Sequence, residues 1–113
     1  DNLRLTPPLA YPEFVWLMQR STLIISDSGG IQEEAPSLRR PVVALREATE
    51  RSEAVDAGAV ICVGAETELI CSTVRRLLTD SQAYAAMQIA HSPFGDGHAA
   101  ERIVEWILEP YRS

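Results

Sequence analysis

One stretch of the chain, residues 23–34, constrains the fold more than any other. It reads LIISDSGGIQEE, so an apolar run stops at polar residues, two glycines follow, and an apolar period of about four begins at Ile31. This pattern predicts a buried strand, a tight turn and the start of a helix. Because strands and helices alternate along the rest of the chain, the sequence predicts an α/β fold with a parallel sheet.

The turn in this stretch has the chemistry of a phosphate site. Gly29 and Gly30 let backbone amides approach a ligand with no Cβ in the way, and a helix start presents unpaired N–H groups and a positive dipole end. Ser28 adds a hydroxyl, either as the N-cap of the helix or as one more donor to the ligand. Glu34, one turn further along the helix, adds an acceptor for sugar hydroxyls. On the residues alone, an ordinary strand-to-helix turn explains the pattern equally well.

Hydrophobic periodicity predicts the remaining elements. Proline in the second predicted helix, at Pro36, indicates a kink or an early end there. Ligands of parallel sheets bind beyond the carboxyl ends of the strands, which here are followed by the loops 26–30, 46–51 and 64–67. The predicted strands are 3–5, 23–26, 42–45 and 59–63, and the predicted helices are 11–20, 30–38, 52–57, 66–79, 81–90 and 99–109.

Composition excludes two classes of partner. Sixteen acidic residues against ten basic ones, for a net charge of -6, argue against a nucleic-acid surface, which needs a clustered positive face. No apolar stretch approaches the roughly 18 residues that a membrane span needs. The chain opens with Asp1 rather than Met, so we expect a fragment or a removed start. We therefore expect neither a nucleic-acid nor a membrane partner.

Residues 27–38, DSGGIQEEAPSL, resemble the signature of the non-hydrolysing UDP-N-acetylglucosamine 2-epimerases. Three other segments add to the resemblance: FVWLM at 14–18, TER at 49–51 and PFGDG at 93–97. It extends from about Pro8 to Trp106 and corresponds to the last third of such an enzyme. The chain departs from the family pattern at several positions, among them Arg39 in place of a common glycine and Phe94 in place of a tyrosine.

The resemblance implies a glycosyltransferase-B-like architecture with two Rossmann-like halves and an active site between them. Residues 1–113 would form a single UDP-binding domain, a Rossmann-like three-layer α/β unit from the C-terminal half. Its ligand would be UDP-GlcNAc or UDP, and its partner the missing N-terminal domain. A homodimer of the intact, cytoplasmic enzyme is also implied, whereas no cofactor and no metal are.

The resemblance further implies roles for six residues in holding UDP. Residues 28–30, at the glycine turn, would bind the diphosphate, and the carboxylate of Glu34 would accept hydrogen bonds from the ribose hydroxyls. The main chain at Phe14 would meet the uracil edge, and Arg51 would help to hold the nucleotide. These roles agree with the chemistry of amides, carboxylates and guanidinium groups. The six residues are Ser28, Gly29, Gly30, Glu34, Phe14 and Arg51.

The family reaction interconverts UDP-GlcNAc and UDP-ManNAc by eliminating UDP and adding it back. The family's acid/base carboxylates lie in the first domain, so we expect no catalytic residue in this chain and no turnover by the chain alone. Two alternatives stay open: a free-standing nucleotide-sugar binding module, and the donor half of a glycosyltransferase with the same architecture. The residues also leave a hydrolysing or a non-hydrolysing outcome open.

Overall fold

The computed structural model describes residues 2–48, 52–89 and 97–111 of the chain. Helices and short strands alternate through most of it, as predicted. The helices are α1 (Tyr11–Arg20), α2 (Gly29–Ser37), α3 (Ser52–Asp56), α4 (Thr67–Thr79), α5 (Ser81–Met87) and α6 (Ala99–Leu108), followed by a 3-10 turn (Glu109–Tyr111). The strands are β1 (Ile24–Ser26), β2 (Val42–Ala44) and β3 (Val60–Cys62).

The three strands form one parallel sheet in the order β1-β2-β3. Ile24 pairs with Val42, and Val42 pairs with Val60, so the strands are in step. The helices α2 and α3 connect consecutive strands, which is the connection that parallel neighbours require. The predicted α/β class with a parallel sheet is confirmed.

Helices cover both faces of the sheet. Val42 and Ala44 of β2 pack with Ala35 of α2 and Ala54 of α3 in one buried cluster. Successive side chains of a strand point to opposite faces, and Val43 accordingly belongs to a second cluster. That cluster includes Leu77 of α4 and Met87 of α5. The continuous apolar run of β2 is thus buried on both sides, and the three-layer arrangement is confirmed.

The end of α2 explains how the chain turns into β2. The helix stops at Ser37, one residue after Pro36, which confirms the predicted early end. The N–H of Arg39 donates to the carbonyl of Pro36 and the N–H of Arg40 to that of Ala35, each at 3.0 Å. Together with a φ of 59° at Arg39, these bonds form a Schellman motif, which favours glycine at that position. Arg39 therefore adopts a left-handed conformation that costs it about 1–2 kcal/mol.

The predicted strand at 3–5 is wrong. Residues 2–10 contain no regular secondary structure, and Leu3 and Leu5 are 80% and 92% exposed. Alternation alone does not make a strand, because a strand needs a neighbour for its backbone hydrogen bonds. Within the described residues, no neighbour pairs with this segment.

An apolar surface remains on α6. Ile103, Trp106 and Ile107 are each more than half exposed, and none of the helix's residues is buried. Scattered exposed hydrophobic residues are normal in folded proteins, but a contiguous apolar face marks an interaction surface. The described part of the chain leaves this face uncovered.

Candidate functional site

The turn between β1 and α2 is held by two serine side chains. Ser28 is the N-cap of α2, and its Oγ accepts a hydrogen bond from the N–H of Ile31 at 3.4 Å. Its carbonyl accepts from the N–H of Gln32 at 3.3 Å. The N–H of Ser28 in turn donates to the Oγ of Ser26 at 3.0 Å. The predicted cap and tight turn are both present, so the start of the helix is fixed before any ligand arrives.

Gly29 and Gly30 form the first two residues of α2. Within the described part of the chain, neither of their amides donates to an acceptor. Neither glycine has a positive φ, so backbone conformation does not require glycine here. A Cβ added to Gly30 would meet its nearest atom, the Oγ of Ser28, at 3.7 Å, an ordinary contact. The fold therefore does not require glycine at position 30, and the absence of a Cβ leaves space for a ligand beside the backbone.

Glu34 lies one helical turn beyond Gly30 on α2 and is half-buried. Its Oε1 accepts a hydrogen bond from the hydroxyl of Tyr11 at 3.3 Å, which joins α1 to α2. The negative charge of Glu34, reinforced by this hydrogen bond, raises the pKa of Tyr11 above its ordinary value of 10.0. The phenol thus stays protonated and remains a donor to the carboxylate.

Phe14 and Arg51 complete the set of residues expected at the site. Phe14 lies on α1 one turn after Tyr11 and is half-buried. Its N–H donates to the carbonyl of Ala10 at 2.9 Å, so this donor is engaged within α1. A base that approaches the main chain here would have to use a carbonyl or displace that bond. Arg51 lies outside the described residues.

The loops that follow the three strands meet at one edge of the sheet, as predicted. The N–H of Leu45 donates to the carbonyl of Ser26 at 3.0 Å, which ties the second loop to the first. The N–H of Gly64 donates to the carbonyl of Arg46 at 3.0 Å, which ties the third loop to the second. The glycine turn therefore opens onto the carboxyl ends of the strands, where α/β sheets bind their ligands.

Sequence reasoning missed two residues of this site. Tyr11 contacts Glu34 from 23 positions away, and only its spacing of three from Phe14 on a predicted helix could have drawn attention to it. Ser26 is predicted as the last residue of the strand and the first of the loop, without a role for its side chain. A serine two residues before a backbone amide is the local signal of a side-chain turn, so this contact was open to prediction.

A metal cluster and a membrane span are both absent from the described residues. No group of three or more His, Cys, Asp or Glu side chains is arranged there to hold a metal ion. None of the described helices combines the length and the apolar character needed to cross a membrane. His98 lies 3.3 Å from Glu101 at the start of α6, which is a local helix contact.

Comparison with known proteins gives this site a context. The profile of the UDP-N-acetylglucosamine 2-epimerase family matches residues 1–108. The chain is 54% identical over 104 residues to the UDP-N-acetylglucosamine 2-epimerase of Escherichia coli K12. It is 48% identical, with a TM-score of 0.88, to the UDP-GlcNAc 2-epimerase of Neisseria meningitidis, solved with UDP-GlcNAc bound. A structure of Staphylococcus aureus MnaA with UDP gives 40% identity and a TM-score of 0.86.

The matches cover nearly all of this chain but a minor part of its relatives. The Escherichia coli alignment spans 92% of this chain and 28% of the relative. The Neisseria alignment spans 96% and 29%, and the Staphylococcus alignment 98% and 30%. The resemblance that the glycine run indicated is confirmed by sequence and by fold, and the chain belongs to the UDP-N-acetylglucosamine 2-epimerase family.

Proposed function

We propose that the chain is the UDP-binding domain, residues 1–113, of a UDP-N-acetylglucosamine 2-epimerase. One observation carries the proposal: a serine-capped helix start, with two glycine amides that donate to no acceptor among the described residues, lies one turn before the carboxylate of Glu34. Amides at a helix N-terminus bind phosphate oxygens, and a carboxylate accepts hydrogen bonds from a ribose diol. The solved Neisseria relative carries UDP-GlcNAc, which supports the choice of ligand.

The spacing along α2 suits a nucleoside diphosphate. Gly30 and Glu34 are four residues apart, which corresponds to about 6 Å along a helix axis. In UDP the ribose follows the α-phosphate directly, so one helix can hold both groups. We assign the diphosphate to the amides of Gly29 and Gly30 with the hydroxyl of Ser28, and the ribose hydroxyls to Glu34. The uracil contact at Phe14 and the anion contact at Arg51 rest on the family resemblance.

The role proposed for this site in the intact enzyme is to keep the leaving group in reach. Interconversion of UDP-GlcNAc and UDP-ManNAc by elimination and re-addition requires that UDP stay bound while the sugar is an intermediate. Acid/base groups around the sugar are needed as well, and we assign them to the part of the protein outside this chain. Accordingly, the chain alone binds nucleotide and does not turn it over. The cytoplasmic location stays a prediction.

Two apolar surfaces that the described residues leave uncovered support a contact with that remaining part. One is the face of α6 described above. The other is a groove of about 400 Å³ beside β1, the edge strand of the described sheet, where Ile25 is 45% exposed next to Ile70 and Val74 of α4. Parallel sheets are covered on both faces and seldom end in an open apolar edge. We propose that the missing N-terminal part covers these surfaces, with a second copy of the chain as the alternative.

Titration calorimetry with UDP tests the proposal. We expect measurable binding by the chain and a loss of about tenfold or more in Glu34→Ala, since a hydrogen bond to a charged group contributes about 1.5–3 kcal/mol. Glu68→Ala removes the same charge from an exposed position on α4 and serves as the matched control. Equal affinities for the wild type and Glu34→Ala would refute the ribose role. Absence of any UDP binding would refute the proposed function.

A further inference from the structure

The contact between Tyr11 and Glu34 adds a residue to the proposed nucleotide site. We infer that Tyr11 is a positioning residue, whose hydroxyl holds the carboxylate of Glu34 in the orientation that accepts the ribose diol. This inference rests on the proposed function and deepens it. It concerns how the site achieves its preference for a ribose rather than which ligand it takes.

The hydrogen bond leaves Glu34 able to bind a ligand. Tyr11 donates to Oε1 of Glu34 at 3.3 Å. An ionised carboxylate offers about four lone-pair sites on its two oxygens, so Oε2 and the second lone pair of Oε1 remain for hydroxyls. A glutamate on a helix surface otherwise samples many rotamers and loses that freedom when it binds. The hydrogen bond from Tyr11 restricts the Glu34 side chain before the ligand binds, so less conformational entropy is lost on binding. This is pre-organisation of the site.

The backbone of α1 fixes where the donor lies. Tyr11 is the first residue of the helix, and Pro12 follows it within the first turn, where proline's fixed φ suits a helix start. Two turns further on, Met18 is 3% exposed and anchors the same helix in the core. The hydroxyl of Tyr11 is therefore presented to α2 by a helix that is anchored in the core.

Tyr11 itself contributes little to the core. Its side chain is 64% exposed, so removing its hydroxyl leaves no buried polar group without a partner. The carboxylate keeps the phenol protonated, since its charge raises the pKa of Tyr11, and the hydroxyl is thus a donor throughout the neutral range. The Tyr11 hydroxyl has little structural value, and it donates to the carboxylate that we assign to the ribose. A role in the nucleotide site best explains its position.

The affinities for UDP and for 2′,3′-dideoxy-UDP, measured on the full chain by calorimetry, test this role. The ratio of the two affinities reports the ribose contact alone, because both nucleotides carry the same base and diphosphate. We expect the wild type to prefer UDP and Glu34→Ala to bind the two nucleotides equally. Tyr11→Phe should lower the preference by about 3- to 10-fold, as expected for a hydrogen bond of this kind. In the double variant, Tyr11→Phe should add nothing to the loss caused by Glu34→Ala.

Tyr84→Phe is the matched control. It removes another tyrosine hydroxyl, which donates to the carbonyl of Thr22 at 2.6 Å, and should leave the nucleotide preference unchanged. A Tyr11→Phe variant that keeps the wild-type preference, or loses affinity equally for both nucleotides, would overturn the inference and leave the proposed function intact. A wild type with no preference for the ribose would overturn the inference together with the ribose role of Glu34, whereas a wild type that binds neither nucleotide would overturn the proposed function.

Discussion

The Oγ of Ser28 accepts a hydrogen bond from the N–H of Ile31 at 3.4 Å and caps the N-terminus of α2. The two glycines between these residues have amides with no acceptor among the described residues. A cap usually satisfies one of the first amides of a helix and leaves the others to water or to a ligand. Here the two amides that remain belong to residues without a Cβ. This arrangement supports our proposal that the cap and the glycines together bind an anion.

Replacement of Gly30 by alanine separates folding from binding. Because Gly30 has no positive φ and an added Cβ would meet nothing closer than 3.7 Å, we expect Gly30→Ala to leave the free energy of unfolding unchanged or raise it by up to about 1 kcal/mol. The same Cβ would stand between the amides and the diphosphate. We expect the affinity for UDP to fall about tenfold or more in calorimetry.

Gly58→Ala provides the opposite control. Gly58 has a φ of +88°, so alanine should lower the free energy of unfolding by about 1–2 kcal/mol, measured by urea denaturation. Unchanged UDP affinity in Gly30→Ala would show that no ligand approaches the backbone at this turn.

Substitutions of Ser28 test the cap and the phosphate contact separately. Ser28→Ala should cost about 0.5–2 kcal/mol of unfolding free energy and weaken UDP binding. Ser28→Asp keeps a capping side chain and a favourable interaction with the helix dipole, so stability should be retained, yet its charge would repel a diphosphate. Asp80→Ala removes the carboxylate that caps α5, whose Oδ1 accepts a hydrogen bond from the N–H of Gln82 at 3.0 Å. This variant should lower stability without changing the affinity for UDP. Tight UDP binding by Ser28→Asp would contradict the phosphate assignment.

Arg39→Gly should stabilise the chain. Arg39 occupies a left-handed position at the end of α2, with a φ of 59°, where glycine has no steric penalty. We expect a gain of about 1 kcal/mol in unfolding free energy, observed as a higher Tm. Arg75→Gly, the same change at an exposed position inside α4, should cost about 1 kcal/mol. A lower Tm for Arg39→Gly would mean that the arginine side chain contributes more than the strained backbone costs.

Titration of Tyr11 provides a pH test of its contact with Glu34. Because the pKa of Tyr11 is raised in the folded chain above its ordinary value of 10.0, the contact's contribution to stability is fully present below about pH 10 and is lost as the pH rises through the folded pKa. The chain has three tyrosines and, since all ten of its basic residues are arginines, no lysine titrates in this range. The difference in phenolate absorbance between the wild type and Tyr11→Phe isolates this group. Glu34→Ala should bring its pKa down to the ordinary value; an unchanged titration would exclude the charge of Glu34 as the cause.

The chain alone should not interconvert UDP-GlcNAc and UDP-ManNAc. We propose that the acid/base groups for the chemistry lie outside it, and a UDP-binding site by itself lowers no barrier at the sugar. Incubation with UDP-GlcNAc, followed by chromatography of the nucleotide sugars, provides the measurement. Production of UDP-ManNAc would show that the necessary groups lie within these 113 residues.

Local signals in the sequence predicted most elements to within one or two residues. The helix at 11–20, the cap at Ser28 and the early end caused by Pro36 depend on neighbours in the chain, and the structure confirms each. The predicted strand at 3–5 failed because a strand depends on a partner elsewhere. The predicted end of the fifth helix, at 90, is also too late, because the helix ends at Met87.

The sequence by itself determined the glycine turn at the start of α2 and the family to which the chain belongs. Both depend on a cap, two glycines and a carboxylate that lie within one short stretch of the chain. The tertiary structure alone decided that Tyr11 meets Glu34 across 23 residues and that β2 is buried by different helices on its two faces. It also showed that Gly30 is not required by its own fold. Contacts of this kind depend on how elements pack, and packing is a property of the folded chain that no short stretch of sequence encodes.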